Sequence, residues 1–333
     1  MSTKPTVSVV IIGRNEGSRL QRCIASVQQA QWSAMRHDIW YVDSRSTDDS
    51  LALAQAMGVQ TRVLPAGPMC AAKARNLGWQ AADGEFILFL DGDTELHPDF
   101  VNHALQALSD NTLCAAWGHR RESNPQQSLY TKVLDLDWIY PAGITPYFGG
   151  DVLVRRSALA QVGGFDATLN AGEEPELCAR LRASGWKILH IDAPMTRHDL
   201  AVRTFKAYAR RCYRSGIAYA EVTHRMQALG DGLWQHEARR DLVHGLIYVA
   251  APVLMALAFA LHVLAGALLA ALGLVLVLRS AWRCRERAAG NVLLALQYAL
   301  HSHVQKVPAF FGQMAWKRAH ARARRLALVD YKE

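Results

Sequence analysis

Residues 71–94 read AAKARNLGWQAADGEFILFLDGDT, and this stretch decides the fold. Ala71–Ala82 carries a helical pattern. Phe86–Leu90 (FILFL) is an uninterrupted apolar run, the pattern of a strand covered on both faces of a sheet. Asp91-Gly92-Asp93-Thr94 comes directly after it. Two acids flanking a glycine at the end of a buried strand supply hard oxygen ligands suited to Mg2+ or Mn2+. Gly92 lets the backbone turn and a phosphate approach.

The same alternation extends upstream. Val7–Ile12, Ile39–Val42 and Val59–Leu64 are short apolar, β-rich runs, with helical patterns at Ser18–Gln29 and Asp48–Met57 between them. Strands alternating with helices imply parallel βαβ units, so the expected class is α/β with a doubly wound, mostly parallel sheet. Ligands of such sheets bind beyond the carboxyl ends of the strands. The residues at those ends are therefore informative: Gly13-Arg14-Asn15-Glu16 after the first strand, Asp43-Ser44-Arg45-Ser46-Thr47-Asp48-Asp49-Ser50 after the second, Asp91-Gly92-Asp93-Thr94 after the fourth. Neither GxGxxG nor GxxxxGK[ST] occurs, which excludes the dinucleotide fingerprint and the P-loop.

Charge divides the chain. Residues 1–241 hold 26 Lys+Arg and 26 Asp+Glu, whereas residues 279–333 hold 11 against 3 and so carry the whole +8. A neutral main domain lacks the basic face that duplex nucleic acid requires, so no nucleic-acid partner is expected. With 51% hydrophobic residues the chain is not disordered as a whole. Six cysteines without a CxxC pair suit reduced thiols in a cytosolic setting. Met1–Thr6 carries one Lys and no signal-peptide pattern, so the N-terminal domain is expected in the cytosol.

Between Asp241 and Arg279 lie 37 uncharged residues. As one helix they would run about 56 Å, far beyond a hydrocarbon core of about 30 Å. Two short transmembrane helices over 242–278, joined near His262–Gly266, fit better, because lipid tolerates no open backbone. Arg239 and Arg240 before the block, and Arg279, Arg283, Arg285 and Arg287 after it, place both ends on the cytosolic side. Residues 291–316 are apolar but interrupted by polar groups, and Leu293, Leu296, Leu300 and Val304 recur at helical spacing. That reads as one helix lying in the membrane interface, with a third crossing as the alternative. Trp316, Lys317, Arg318, Arg322, Arg324 and Arg325 then form a basic stretch suited to anionic lipid head groups.

Taken together the motifs resemble the family 2 glycosyltransferases, which have the GT-A fold. The likeness covers about residues 6–225 and rests on five segments in order: VSVVIIGRNE, YVDSRSTDDS, the 71–94 stretch, GGDVLVRRSALAQVGGFD and GEEPELCARLRASGWKI. It implies a domain over 1–225 for nucleotide sugar and acceptor, a connecting segment at 226–241, the membrane helices at 242–278 and a basic tail at 279–333. It further implies that Asp43 hydrogen-bonds the base of a nucleotide sugar and that Arg14, Asn15, Glu16 and Ser44 line the nucleoside pocket. Arg75 would sit near the base or phosphates, Asp91 would contact the ribose or the metal through water, and Asp93 would bind the Mn2+ or Mg2+ that bridges the diphosphate.

Glu173-Glu174-Pro175-Glu176 stands where the family carries its catalytic base, often as Glu-Asp. An inverting transfer needs one carboxylate to take the acceptor's proton. Glu174 is the expected base and Glu173 its competitor. His198, after a strand expected at Ile188–Ile191, would complete the metal site. The QxxRW motif of the processive synthases is absent, while Arg211 and Arg214 could neutralise the leaving diphosphate. Gly150 and Asp151 would line the sugar and acceptor pocket. The resemblance thus implies a metal-dependent inverting transferase at the cytosolic membrane face, using a lipid-linked or cell-envelope glycan acceptor. The alternatives are a nucleotide-sugar-binding membrane scaffold without turnover and a nucleotidyltransferase.

Overall fold

The computed structural model describes residues 6–33, 35–324 and 326; Arg325 of the basic stretch lies outside them. The chain divides into two compact units, Met1–Ser123 with Tyr140–Leu200, and Asn124–Ile139 with Ala201–Glu333. This grouping differs from the expected boundary at 225. It ends the first unit after its last strand and assigns the next long helix, and the segment at 124–139, to the helical second unit.

The first unit is built on one mixed sheet. Its strands are β1 (Thr6–Gly13), β2 (Arg36–Asp43), β3 (Gln60–Val63), β4 (Phe86–Asp91), β5 (Thr94–Leu96), β6 (Leu113–Glu122), β7 (Gly143–Ile144), β8 (Val152–Arg155) and β9 (Lys187–His198). The order is β3-β2-β1-β4-β8-β6-β9-β5, with β7 also on β9. The β3-β2-β1-β4 half is parallel, as the βαβ alternation predicts. The other half is mixed. There β8 runs antiparallel to both β4 and β6, β6 and β9 are parallel, and β5 and β7 run antiparallel to β9.

Helices α1 (Ser18–Gln28), α2 (Ser50–Ala56), α3 (Ala71–Ala81) and α4 (Phe100–Ala107) fall between strands as the sequence pattern requires. The apolar runs of β1 and β4 are buried throughout, forming the centre of a core that α1 and α3 cover with Leu20, Ile24, Ala74 and Trp79. The lack of a Cβ at Gly78 lets α3 lie on β1; a Cβ there would stand 2.2 Å from Val10.

The second unit is helical. It comprises α5 (Leu129–Asp137), α8 (Phe205–Ala228), α9 (Gln235–Leu261), α10 (Val263–Cys284), α11 (Val292–Val304) and α12 (Lys306–Ala321), while α6 (Arg156–Val162) and α7 (Glu173–Ala183) belong to the first unit. Helices α9 and α10 are long and apolar enough to cross a membrane. The break between them falls at His262, at the edge of the expected joint. The single helix expected over 291–316 is instead two. Pro308, which has no N–H to donate, falls in the first turn of the second helix, where that N–H has no helical partner. Glycines set the close crossing of α8 and α12: a Cβ on Gly216 would stand 2.0 Å from the Ala309 carbonyl oxygen, and one on Gly312 2.1 Å from that of Tyr213. All six cysteines are free thiols.

Candidate functional site

The site sits at the carboxyl ends of the first unit's central strands. The loops after β1, β2 and β4 are tied together by main-chain bonds: Ser44 N–H donates to Gly13 O at 2.9 Å and Gly92 N–H to Ile12 O at 2.7 Å. Asn15 takes a left-handed conformation (φ 56°), tolerable for Asn. Its side-chain oxygen accepts from Thr47 N–H at 2.8 Å, and its own N–H donates to Ser46 Oγ at 2.9 Å. Glu16 is buried and pairs with Arg19 at 2.9 Å, while its N–H donates to Ser50 Oγ. Arg14 is half-buried in the same loop.

Asp43 is buried at the end of β2. It accepts from Tyr41 Oη (2.9 Å), Ser46 N–H (2.8 Å) and Ser46 Oγ (2.5 Å), so it shapes the loop that the resemblance assigns to the nucleoside. Beside it, burial and the Asp43 charge hold the Tyr41 phenol well above its ordinary range.

Strand register explains the acidic cluster. In the β5–β9 pairing Thr94 stands opposite His198, which brings His198 Nε2 to 3.3 Å from Asp93 Oδ1 across 105 residues of sequence. Asp199 N–H donates to Asp93 O at 2.9 Å and secures that approach. Asp91, Asp93 and His198 each present a ligand atom, and these atoms lie within 4.8 Å of one another. Two carboxylates and an imidazole, two of the three residues buried, form a donor set that fits a divalent cation such as Mn2+ or Mg2+.

Arg75, only 2% exposed, is the hub beside that set. Its Nη2 lies 2.9 Å from Asp91 Oδ1, and its Nη1 lies 2.9 Å from Glu173 Oε1 and 3.0 Å from Glu174 Oε1. Burial disfavours its charge, yet Glu174, Asp91 and Glu173 outweigh burial and hold its pKa above the ordinary value. Arg75, expected near a base or phosphate, has both terminal nitrogens paired with carboxylates. Gly150 leaves room for this arrangement: a Cβ there would stand 2.6 Å from Asp91 Oδ2 and 2.8 Å from Arg75 Nη2.

Glu173 and Glu174 open helix α7, capped by Gly172 in the left-handed region (φ 83°). Pro175 is the helix's third residue rather than its first, still within the turn whose N–H groups have no helical partner. Glu173 is buried, whereas Glu174 keeps 18% of its side chain exposed. Burial first, then the Glu173 charge, raises Glu174 against the lowering effect of Arg75, and its pKa is pushed up to about 7.

Asp151, expected in the sugar pocket, is 2% exposed with both oxygens engaged. Its Oδ1 accepts from Asp91 N–H at 3.2 Å; its Oδ2 accepts from Thr196 Oγ1 at 2.7 Å and lies 3.1 Å from Arg120 Nε. Asp151 therefore braces the backbone of Asp91. Burial raises its pKa while Arg120 opposes that shift. Arg120 and Thr196 are functional neighbours that the sequence reading missed; they reach Asp151 only because β6, β8 and β9 are adjacent. Arg211 and Arg214 are half-buried residues of α8 in the second unit.

Residues 8–164 match the family model described as glycosyl transferase family 2. The chain is 29% identical over 230 residues to the pre-mycofactocin glycosyltransferase of Mycobacterium tuberculosis, covering 64% of this chain and 46% of that protein. It is 21% identical over 232 residues to the glycosyltransferase AglE of Haloferax volcanii, covering 66% and 75% respectively. The chain thus spans less than half the length of the first of these relatives. Among solved structures, the mannosyltransferase PcManGT from Pyrobaculum calidifontis, in complex with GDP-Man and Mn2+, superposes with a TM-score of 0.65 at 19% identity, over 91% of this chain and 88% of that one. That likeness establishes a GT-A-type fold.

Proposed function

We propose, for a chain whose residues 8–164 match the glycosyl transferase family 2 model, that it transfers one sugar from a nucleotide sugar to an acceptor hydroxyl with inversion at the anomeric carbon. The acceptor is a lipid-linked or cell-envelope glycan, reached at the cytosolic face of a membrane. The observation that carries the reading is the Arg75 hub, which holds the acid expected as base and a member of the metal-donor set on one guanidinium.

Asp91, Asp93 and His198 would hold the divalent cation. When bound, it supplies positive charge against the diphosphate that departs. The loops after β1 and β2, with Arg14, Asn15, Glu16, Asp43 and Ser44, would receive the nucleoside, and Asp43 keeps the second loop in shape by holding Ser46. Glu174 takes the proton from the acceptor hydroxyl as its oxygen bonds to the anomeric carbon and the bond to the diphosphate oxygen breaks. A base whose pKa lies near neutrality suits that role at cytosolic pH, since it is ionised yet a competent proton acceptor. Arg75 fixes the carboxylate's direction and Asp151 fixes the backbone of Asp91.

The test tracks the phosphorus product of a nucleotide-sugar panel with the purified full chain. A nucleoside diphosphate formed with acceptor supports the reading, with Asp93→Asn and Glu174→Gln each abolishing transfer. Release of pyrophosphate would assign a nucleotidyltransferase, and donor binding without turnover over an acceptor panel would assign a scaffold.

A further inference from the structure

Helices α9 and α10 are joined by one non-helical residue, His262 (φ −159°, ψ 112°). The chain reverses sharply there, for a Cβ on Gly266 would stand 2.3 Å from the Phe259 ring. The open end of the hairpin is clamped by a residue of α11. His303 Nδ1 lies 2.6 Å from the Tyr248 hydroxyl on α9, and its Nε2 lies 3.0 Å from the Ser280 hydroxyl on α10. The buried Asp241–Lys306 ion pair and the charged groups Arg279, Arg283 and Arg285 lie at that same end, with Arg285 stacked over Trp282 at 4.3 Å. Nearby, Val292, Leu293, Leu300, Val304 and Phe311 of α11 and α12 are exposed apolar residues, as helices seated in a membrane interface require.

The uncharged part of α9, Leu242 to Leu261, rises about 30 Å, but that of α10, Val263 to Leu278, only about 24 Å. The α10 leg falls short of a hydrocarbon core of about 30 Å. Tip chemistry gives the same answer independently. From Val249 to Leu278 the only side chain with a polar group is His262. A full crossing would put Leu261 (85% exposed) and Val263 (72%) into water on the far side, with no Trp, Tyr, Lys or Arg there to anchor the turn. The corner also keeps part of its backbone bonding inside: His262 N–H donates to Ala258 O at 2.8 Å and Gly266 N–H to His262 O at 3.2 Å. That reduces the open backbone a tip buried in lipid would otherwise present.

We infer that α9 and α10 form a re-entrant hairpin, whose partner is the acyl-chain interior of one bilayer and whose tip turns back without emerging. This departs from the two crossings read from the sequence, and it rests on the membrane-bound reading proposed above. Such a chain is monotopic, with all its polar surface on one side.

The test places single cysteines at the tip (His262→Cys and, separately, Val263→Cys) and at the exposed turn (Glu286→Cys) in the full chain. Sealed membrane vesicles of both orientations are treated with a membrane-impermeant thiol reagent, and the unsubstituted protein supplies the background. The inference expects Glu286→Cys to react from the cytosolic side only. It expects both tip variants to stay at background from either side and to rise at least tenfold when detergent opens the bilayer. Reaction of a tip cysteine from either aqueous side overturns the re-entrant hairpin while the membrane-bound reading stands. Recovery of the unsubstituted chain in the soluble fraction overturns both.

Discussion

Arg75 Nη1 lies 3.0 Å from Glu174 Oε1, and Nη2 of the same guanidinium lies 2.9 Å from Asp91 Oδ1. One buried cation thereby fixes the distance between the proposed base and the proposed metal site. Its loss would leave Asp91, Glu173 and Glu174 facing one another without the guanidinium they share. Removing one partner of a buried ion pair typically costs about 3–5 kcal/mol. Arg75→Gln is expected to lower the thermal midpoint clearly, with the loss read by calorimetry, and to abolish transfer. A variant with unchanged midpoint would remove the hub from the account.

Glu174 sets the expected pH response. Its pKa of about 7 lies above the ordinary 4.5, and only the ionised form accepts a proton. Transfer at saturating substrate should therefore rise about tenfold per pH unit below the midpoint and level off above it. Glu173→Gln removes a neighbouring negative charge that raises Glu174, so the midpoint of the profile should move to lower pH. The sign for stability is opposite to the usual carboxylate case. Between the two pKa values the native state holds a proton that the unfolded state has released, so this group's contribution falls as pH rises from about 4.5 to about 7. Glu174→Gln should abolish transfer and flatten the stability dependence, and transfer with an unaltered rate profile in that variant would reassign the base.

Gly150 is a steric test of the same cluster. Its substitution by Ala places a Cβ within 2.6 Å of Asp91 Oδ2 and 2.8 Å of Arg75 Nη2. These are ends of side chains, so the fold is expected to survive while the acids shift. Activity should fall at least tenfold, with the thermal midpoint changed by only a few degrees. Full activity in Gly150→Ala would mean that Asp91 tolerates displacement.

In the second unit, Gly216 and Gly312 stand where α8 and α12 pack tightly, and a Cβ on either would meet main-chain atoms of the other helix. Overpacking of this kind costs about 1–3 kcal/mol or more. Gly216→Ala and Gly312→Ala should each destabilise the chain, as read by denaturant midpoint in detergent.

Much of the fold is legible in the residues alone. The four strand-like runs correspond to β1 to β4 with shifts of at most three residues at their ends; three are apolar and buried, whereas Val59–Leu64 carries Gln60, Thr61 and Arg62 and forms the largely exposed edge strand β3. The acids at Asp91 and Asp93 are visible because they directly follow one of the buried runs. The mixed half is not. Nothing local to His198 points to Asp93; the β5–β9 register brings them together. Arg75 is visible only as a cation on a helix, and its three carboxylate partners come from β4 and from α7, nearly a hundred residues on. Asp151 looks available in sequence because its partners Arg120 and Thr196 sit on strands whose adjacency no periodicity encodes.

The most direct test of the central claim is nucleotide binding by the full chain purified in detergent. UDP, GDP, dTDP and CMP are each titrated with Mn2+, with Mg2+ and with chelator, alongside Asp93→Asn. The account expects one nucleotide to bind in a metal-dependent way and to lose that binding in Asp93→Asn. Folded protein that binds none of them with metal, or binds one equally well with chelator and in the variant, would contradict it.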